Sequence, residues 1–149
     1  RGLGDVYKRQ ILAGARFIVA PTLDIETIRT CRRYGVAAMP GTFTPTEMLR
    51  AHEAGADLIK VFPAGPLGPG FFRDVRGPLP QLKLVPTGGV TPENAAEFIR
   101  AGAAALGMGS ALVTPALVEK KDFAAIARRA SDLLTLIRTT RGNGGQRGL

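Results

Sequence analysis

A chain of 149 residues with a net charge of +8 has room for one domain with a sizeable core and not for two. No apolar run approaches the roughly 20 residues that a membrane-spanning helix needs, and no charged-then-apolar leader is present, so neither a membrane nor a secretory destination is expected. The single Cys31 excludes an internal disulfide, no Cys/His cluster has zinc spacing, and a reducing cytoplasm fits.

Residues 1–10 show neither the helical nor the strand period and read as a loose leader. One pattern then recurs along the chain: a helical stretch ends in Gly, a small residue follows, and a short apolar run leads to Pro or Gly. Ala13-Gly14-Ala15 precedes Phe17-Ile18-Val19-Ala20-Pro21. Asp24 is placed to cap a helix through Thr27 to Arg33. Tyr34-Gly35-Val36 then leads into Ala37-Ala38-Met39-Pro40-Gly41. Thr44-Pro45-Thr46-Glu47 is a capping box with Pro at the first helical position, and Ala54-Gly55-Ala56 leads on into Leu58-Ile59-Lys60-Val61-Phe62-Pro63. A further apolar run from Leu82 to Pro86 enters Thr87-Gly88-Gly89. Thr91-Pro92 starts another helix, and Ala101-Gly102-Ala103 precedes Ala105-Leu106-Gly107-Met108-Gly109. Phe123 to Ile137 carries apolar residues at 123, 126, 130, 133, 134 and 137, an amphipathic face.

Glycine just past a helix takes the left-handed conformation that ends it. The short apolar runs read as strands covered on both faces, as in a parallel sheet. The order is five βα units, which belongs either to a doubly wound sheet or to a (β/α)8 barrel.

The basic balance invites a nucleic-acid reading, so its location decides. Arg1, Lys8 and Arg9 against Asp5 put +2 on residues 1–10. Arg138, Arg141 and Arg147, with no acid, put +3 on 138–149, which leaves only +3 on 11–137. No basic stripe with interleaved aromatics runs through the body, so nucleic acid is not the expected partner. Residues 138–149 read as a basic, Gly-rich, flexible tail.

Lys60 is the most informative residue. Period-2 alternation places Leu58, Lys60 and Phe62 on one face of their strand, and no acid within the strand can neutralise the ammonium. An unpaired buried ammonium is costly, so its pKa should fall, and a neutral amine is what attacks a ketone to form an imine. A lysine on an edge strand reaching solvent by its stem explains the same pattern. Spacing alone does not choose between them.

Thr87-Gly88-Gly89-Val90, running into a capped helix, can bring backbone N–H groups to an anion, and Gly107-Met108-Gly109-Ser110 repeats the theme one unit later. Gly pairs are also ordinary tight turns. Glu47 reads as a capping acid, His52 as a solvent-facing helix residue, and Cys31 and Met39 as packing. No nucleotide fingerprint, Ser/His/Asp set or metal cluster is visible, and no cofactor is expected.

With Lys60-Val61-Phe62-Pro63-Ala64-Gly65 followed by Pro66-Leu67-Gly68-Pro69, the chain resembles the KDPG/KHG aldolases, which act on 2-dehydro-3-deoxy-phosphogluconate and 4-hydroxy-2-oxoglutarate. Gly14-Ala15-Arg16-Phe17-Ile18-Val19, Pro40-Gly41, Thr44-Pro45-Thr46-Glu47, Pro86-Thr87-Gly88-Gly89-Val90 and Leu106-Gly107-Met108-Gly109-Ser110 extend the match, in family order, over residues 11 to about 137. The resemblance implies a (β/α)8 barrel, assembled as a homotrimer, that cleaves the 6-phosphate substrate to pyruvate and glyceraldehyde 3-phosphate. It also implies that Lys60 forms the imine, that Thr87, Phe62 and Pro21 line the substrate pocket, and that Gly88, Gly89, Gly109 and Ser110 hold the phosphate. The ligands it implies are a 2-keto-3-deoxy sugar acid phosphate and pyruvate.

The departure from the family is as informative. Members carry three further βα units before the strand at Phe17, with a general acid/base glutamate and a carboxylate-binding arginine. Neither residue has a counterpart here. The chain is therefore expected to supply about five of the eight units, with a foreign leader joined near Ile11, an open barrel and impaired activity. A phosphate-binding barrel enzyme without a Schiff base, sharing the Thr-Gly-Gly loop, is the alternative enzyme. A non-catalytic basic binding protein is the alternative of another class.

Overall fold

The computed structural model describes residues 3–144. Its first element, α1 (Leu3–Leu12), falls where the sequence reading expects a loose leader. Tyr7 and Ile11, four residues apart and so on one helical face, both enter the hydrophobic core, and α1 packs on α2 (Ile25–Arg33). The leader expectation fails because two anchors one turn apart suffice when a neighbouring helix covers them.

Every strand pair is parallel. β1 (Phe17–Val19) lies beside β2 (Ala37–Met39), while β3 (Gly41–Thr42), β4 (Ile59–Val61) and β5 (Leu84–Pro86) form a second ladder. Pro40 separates β2 from β3, since it has no N–H to give to a ladder. The two ladders nevertheless join, because the Lys60 N–H donates to the Pro40 carbonyl at 3.0 Å and the Leu58 N–H to that of Ala38 at 3.3 Å. Spatial order thus follows chain order. The fold is α/β with parallel sheets.

The last apolar run departs from expectation. Residues 105–109 form no strand, only a single parallel bridge between Thr87 and Gly107. Two glycines in five residues leave little side-chain packing to hold a longer ladder.

Three of the helices start where the capping signals place them. Asp24 accepts from the Glu26 N–H at the start of α2. The Thr44–Glu47 capping box opens α3 (Pro45–Glu53), and Thr91 with Asn94 opens α5 (Pro92–Arg100). Gly14, Gly35, Gly55 and Gly102, just past their helices, all have positive φ. α4 (Gly68–Arg76) and the short α6 (Pro115–Glu119) complete the middle of the chain.

The final helix, α7 (Phe123–Gly144), runs past the expected end at Ile137 and through much of the supposed tail. Nothing between Ile137 and Gly142 breaks a helix, and the Thr139 and Thr140 hydroxyls bond back to carbonyls one turn earlier. Arg141 donates to the Ala104 carbonyl, which ties that end to the body. Residues 145–149 of the expected tail, like residues 1 and 2 of the expected leader, lie outside the described residues.

The two faces of the sheet differ sharply. Ile18, Ala38, Ile59, Val61 and Leu84 are buried together with Ile28, Cys31, Met48, Phe72 and Phe98 from the helices. On the other face Phe17 is 64% and Val19 42% exposed. Their register partners Ala37 and Met39 share that face, as do Lys60 and its partner Val85. Among the described residues, β1 has no partner on its outer edge.

Candidate active site

Lys60 sits in the middle of β4, between Gly41 of β3 and Val85 of β5 in register. Its backbone is held firmly. The N–H donates to Pro40, and the carbonyl accepts from the Thr42 hydroxyl at 3.0 Å. The side chain is half-buried, and among the described residues no carboxylate forms an ion pair with it. Burial pushes the amine below the ordinary lysine range. Its Nζ lies 4.5 Å from the centroid of the Phe62 ring.

The loops that follow the strands of a parallel sheet all emerge at one end, and the candidate residues gather there. Pro21 comes two residues after β1. Its carbonyl occupies the space where a side chain on Gly41 would stand, so glycine is required beside Lys60 for that approach. Phe62 follows β4 directly and is joined to Pro63 by a cis peptide.

Thr87 continues β5. Its N–H donates to the Val61 carbonyl at 3.0 Å and its carbonyl accepts from Ala64 at 2.9 Å. The Thr87 hydroxyl fills the place a side chain on Gly107 would take, and it donates to the Val85 carbonyl at 3.4 Å.

Gly88 and Gly89 are drawn against the loop after β4. The Gly65 N–H donates to the Gly88 carbonyl at 2.8 Å, and a side chain on Gly89 would come within 2.7 Å of the Gly65 Cα. Among the described residues, no acceptor engages the N–H groups of Gly88, Gly89 or Val90. Asn94, which the sequence reading does not single out, fastens this loop from below. Its Nδ2 donates to the Gly89 carbonyl at 2.9 Å while its Oδ1 accepts from the Thr91 N–H. A capping-box residue three places after Thr91 is the sequence signal that marks it.

Gly109 and Ser110 follow the Thr87–Gly107 bridge and are exposed at the same end. The Gly109 carbonyl accepts from Leu112 and Val113, and their loop shares no hydrogen bond with Gly88 or Gly89 among the described residues. Lys60, Phe62, Thr87, Gly88 and Gly89 thus form one contiguous cluster. Pro21 joins it through Gly41, and Gly109 and Ser110 stand apart.

Glu47 accepts from the Phe43 and Thr44 N–H groups at 2.9 and 2.8 Å, and these bonds lower its pKa. It is engaged as a cap. Cys31 is buried within the core, and burial raises its thiol pKa, so it is poorly suited to act as a nucleophile. Among the described residues no group of His, Cys, Asp and Glu could hold a metal ion, and no helix is long and apolar enough to cross a membrane.

The family described as KDPG and KHG aldolase matches residues 5–129 by its sequence model, a span that begins inside the expected leader. Over 117 residues the chain is 42% identical to 2-dehydro-3-deoxy-6-phosphogalactonate aldolase of Escherichia coli (strain K12), covering 74% of this chain and 57% of that protein. Over 127 residues it is 32% identical to 2-dehydro-3-deoxy-phosphogluconate aldolase of Treponema pallidum (strain Nichols), covering 84% of this chain and 60% of that protein. A solved structure described as native KDPGal superposes with a TM-score of 0.84 at 33% identity, over 95% of this chain and 68% of that one. The chain therefore spans less than two thirds of the length of these curated relatives.

Proposed function

We propose, starting from the fact that this chain belongs to the KDPG and KHG aldolase family, that Lys60 forms the imine of a class I aldol cleavage. The substrate class is a 2-dehydro-3-deoxy-6-phosphoaldonate. One observation carries the reading: the half-buried Lys60, without an ion-pair partner among the described residues, opens onto the cluster of loops after the strands.

The neutral amine adds to the C2 ketone, and loss of water gives the iminium. Removal of the C4 hydroxyl proton breaks the C3–C4 bond. Its electrons move into the iminium to give an enamine, and glyceraldehyde 3-phosphate leaves as the aldehyde. Protonation at C3 and hydrolysis then return the amine and release pyruvate. The phosphogluconate and phosphogalactonate substrates differ in configuration at C4, the carbon that becomes the aldehyde, so both give the same products.

Thr87, Phe62 and Pro21 would surround the pyruvyl portion. The N–H groups of Gly88 and Gly89 beside the start of α5 suit a phosphate, and the family resemblance adds Gly109 and Ser110, on the next loop at the same end of the sheet, to its binding site. The parallel strands and their bridge are taken as an arc of about five units of a (β/α)8 barrel, which full-length members would assemble as a homotrimer.

The proton relay is the weak point of the 149-residue chain. No carboxylate pairs with Lys60 among the described residues, and general acid/base help is worth roughly 10²–10⁴-fold. Pyruvate release from either phosphorylated substrate is therefore expected at a rate lower by about that factor than a full-length relative's, and Lys60→Met should abolish it. Release that survives Lys60→Met would overturn the Schiff-base reading in favour of a phosphate-binding barrel enzyme of another mechanism.

A further inference from the structure

Between Lys60 and the Thr-Gly-Gly loop stands a ring with a neighbour on each side. Phe62 is 40% exposed, yet its ring is not loose. One contact is with Lys60 Nζ, 4.5 Å from the centroid, well within the reach at which a cation is attracted to an aromatic face. The other is with Gly88, where a Cβ would stand 3.2 Å from both Cδ2 and Cε2 of the ring and 3.7 Å from the Pro63 Cα. Gly88 cannot move aside freely, because its carbonyl is bonded to the Gly65 N–H and the preceding Thr87 carbonyl to Ala64.

We propose that Phe62 is a positioning residue for Lys60: its ring holds the side-chain nitrogen at the C-terminal end of β4, and the missing side chain of Gly88 provides the seat for that ring. The anion-binding part assigned to Gly88 above involves its N–H. The seat involves its Cα, so the two roles are separable. With no carboxylate paired to the ammonium among the described residues, the negative face of the ring is the group in contact that favours the charged amine. It also restrains a side chain with four rotatable bonds, which would otherwise lose its freedom only on meeting the ketone. The inference rests on the imine reading for its consequence, since the nitrogen so held is the proposed nucleophile. The contact itself does not depend on that reading.

The test uses the 149-residue chain without substrate. Trace acylation of Lys60 across pH, read on its peptide by mass spectrometry, reports the titration of the amine. Phe62→Leu keeps an apolar side chain but removes the ring, and the labelling midpoint should fall by about half a pH unit. Phe62→Tyr keeps the ring and should restore the original midpoint. Gly88→Ala, by pushing the ring away, should reproduce the Phe62→Leu shift and add nothing to it in the double variant.

Equal midpoints for the original chain and Phe62→Leu would overturn the proposal, and so would a Tyr variant that behaves like Leu. Additive shifts for Phe62→Leu and Gly88→Ala would overturn the role of Gly88. If Gly88→Ala fails to fold, the Leu and Tyr variants still decide the matter. Should the original chain take up no pyruvate on borohydride reduction, the imine reading fails while the labelling result continues to judge the ring contact.

Discussion

Lys60 and Glu47 are both titratable groups moved from their ordinary ranges, and the causes are opposite in kind. Lys60 is shifted by what surrounds it, since burial disfavours its charged form. Glu47 is shifted by what it holds, since two backbone N–H groups favour its anion. The signs follow. With a lowered amine pKa, the folded state sheds the proton before the unfolded state does. The cost of burying the ammonium is therefore borne in full below the folded pKa and is relieved as pH rises from there toward the ordinary lysine value. Lys60→Met should accordingly stabilise the chain at neutral pH, by an amount that shrinks as alkaline pH is approached. Urea denaturation midpoints across that range measure it, and a loss of stability at neutral pH would show that the Phe62 ring and the packing of the Lys60 stem outweigh the cost of burial. The bare pattern of β4 leaves a buried nucleophile and a solvent-reaching edge lysine equally open. The structure places Lys60 between two paired strands, so the edge alternative falls away.

At the scale of elements, local chemistry dictates boundaries more faithfully than it dictates pairing. The Thr44–Glu47 box, the Asp24 cap and Gly14, Gly35, Gly55 and Gly102 after their helices all act within one turn of the chain, and all stand where the sequence pattern puts them. Removing the Thr44 hydroxyl should cost about 1 kcal/mol in a denaturant melt, the usual worth of such a cap. The Glu47 contribution is present above the ordinary carboxylate pKa and lost as pH falls through its lowered value, so Glu47→Gln should flatten the acid limb of the stability curve. A Thr44→Ala variant as stable as the original would show that packing alone fixes the start of α3. What the local pattern misses depends on neighbours. Pro40 splits one apolar run into two strands because a ladder needs donors. Residues 105–109 keep a single bridge, and α1 becomes ordered because Tyr7 and Ile11 enter the core beside the next helix of the chain. The cluster around Lys60 was legible as a set of loops. The close approaches of Gly41 to Pro21 and of Gly88 to Phe62 were not, since they are made between units.

At the scale of the whole molecule one face of the sheet is covered by helices, while the other is buried at Val85 of β5 and bare only toward β1. Phe17 and Val19 lie bare there, at the end of the sheet where β1 has no outer partner among the described residues. Such an edge pairs readily with another chain. Sedimentation of the 149-residue chain should therefore show self-association that grows with concentration, and Phe17→Lys should reduce it. A strictly monomeric chain at high concentration would indicate that the apolar face is satisfied in some other way. The same face carries Lys60, which ties how that face is covered to the chemistry proposed for it. The lysine that would grip a ketone is held by contacts within the described residues, whereas no carboxylate that could move the protons pairs with it among them. The most direct test separates these two requirements by asking for the imine alone. Reduction of the 149-residue chain with borohydride in the presence of pyruvate, followed by peptide mapping, should leave a reduced pyruvate adduct on Lys60 that is absent in Lys60→Met. A folded sample in which Lys60 stays unmodified, or in which the adduct forms on another lysine, would contradict the account.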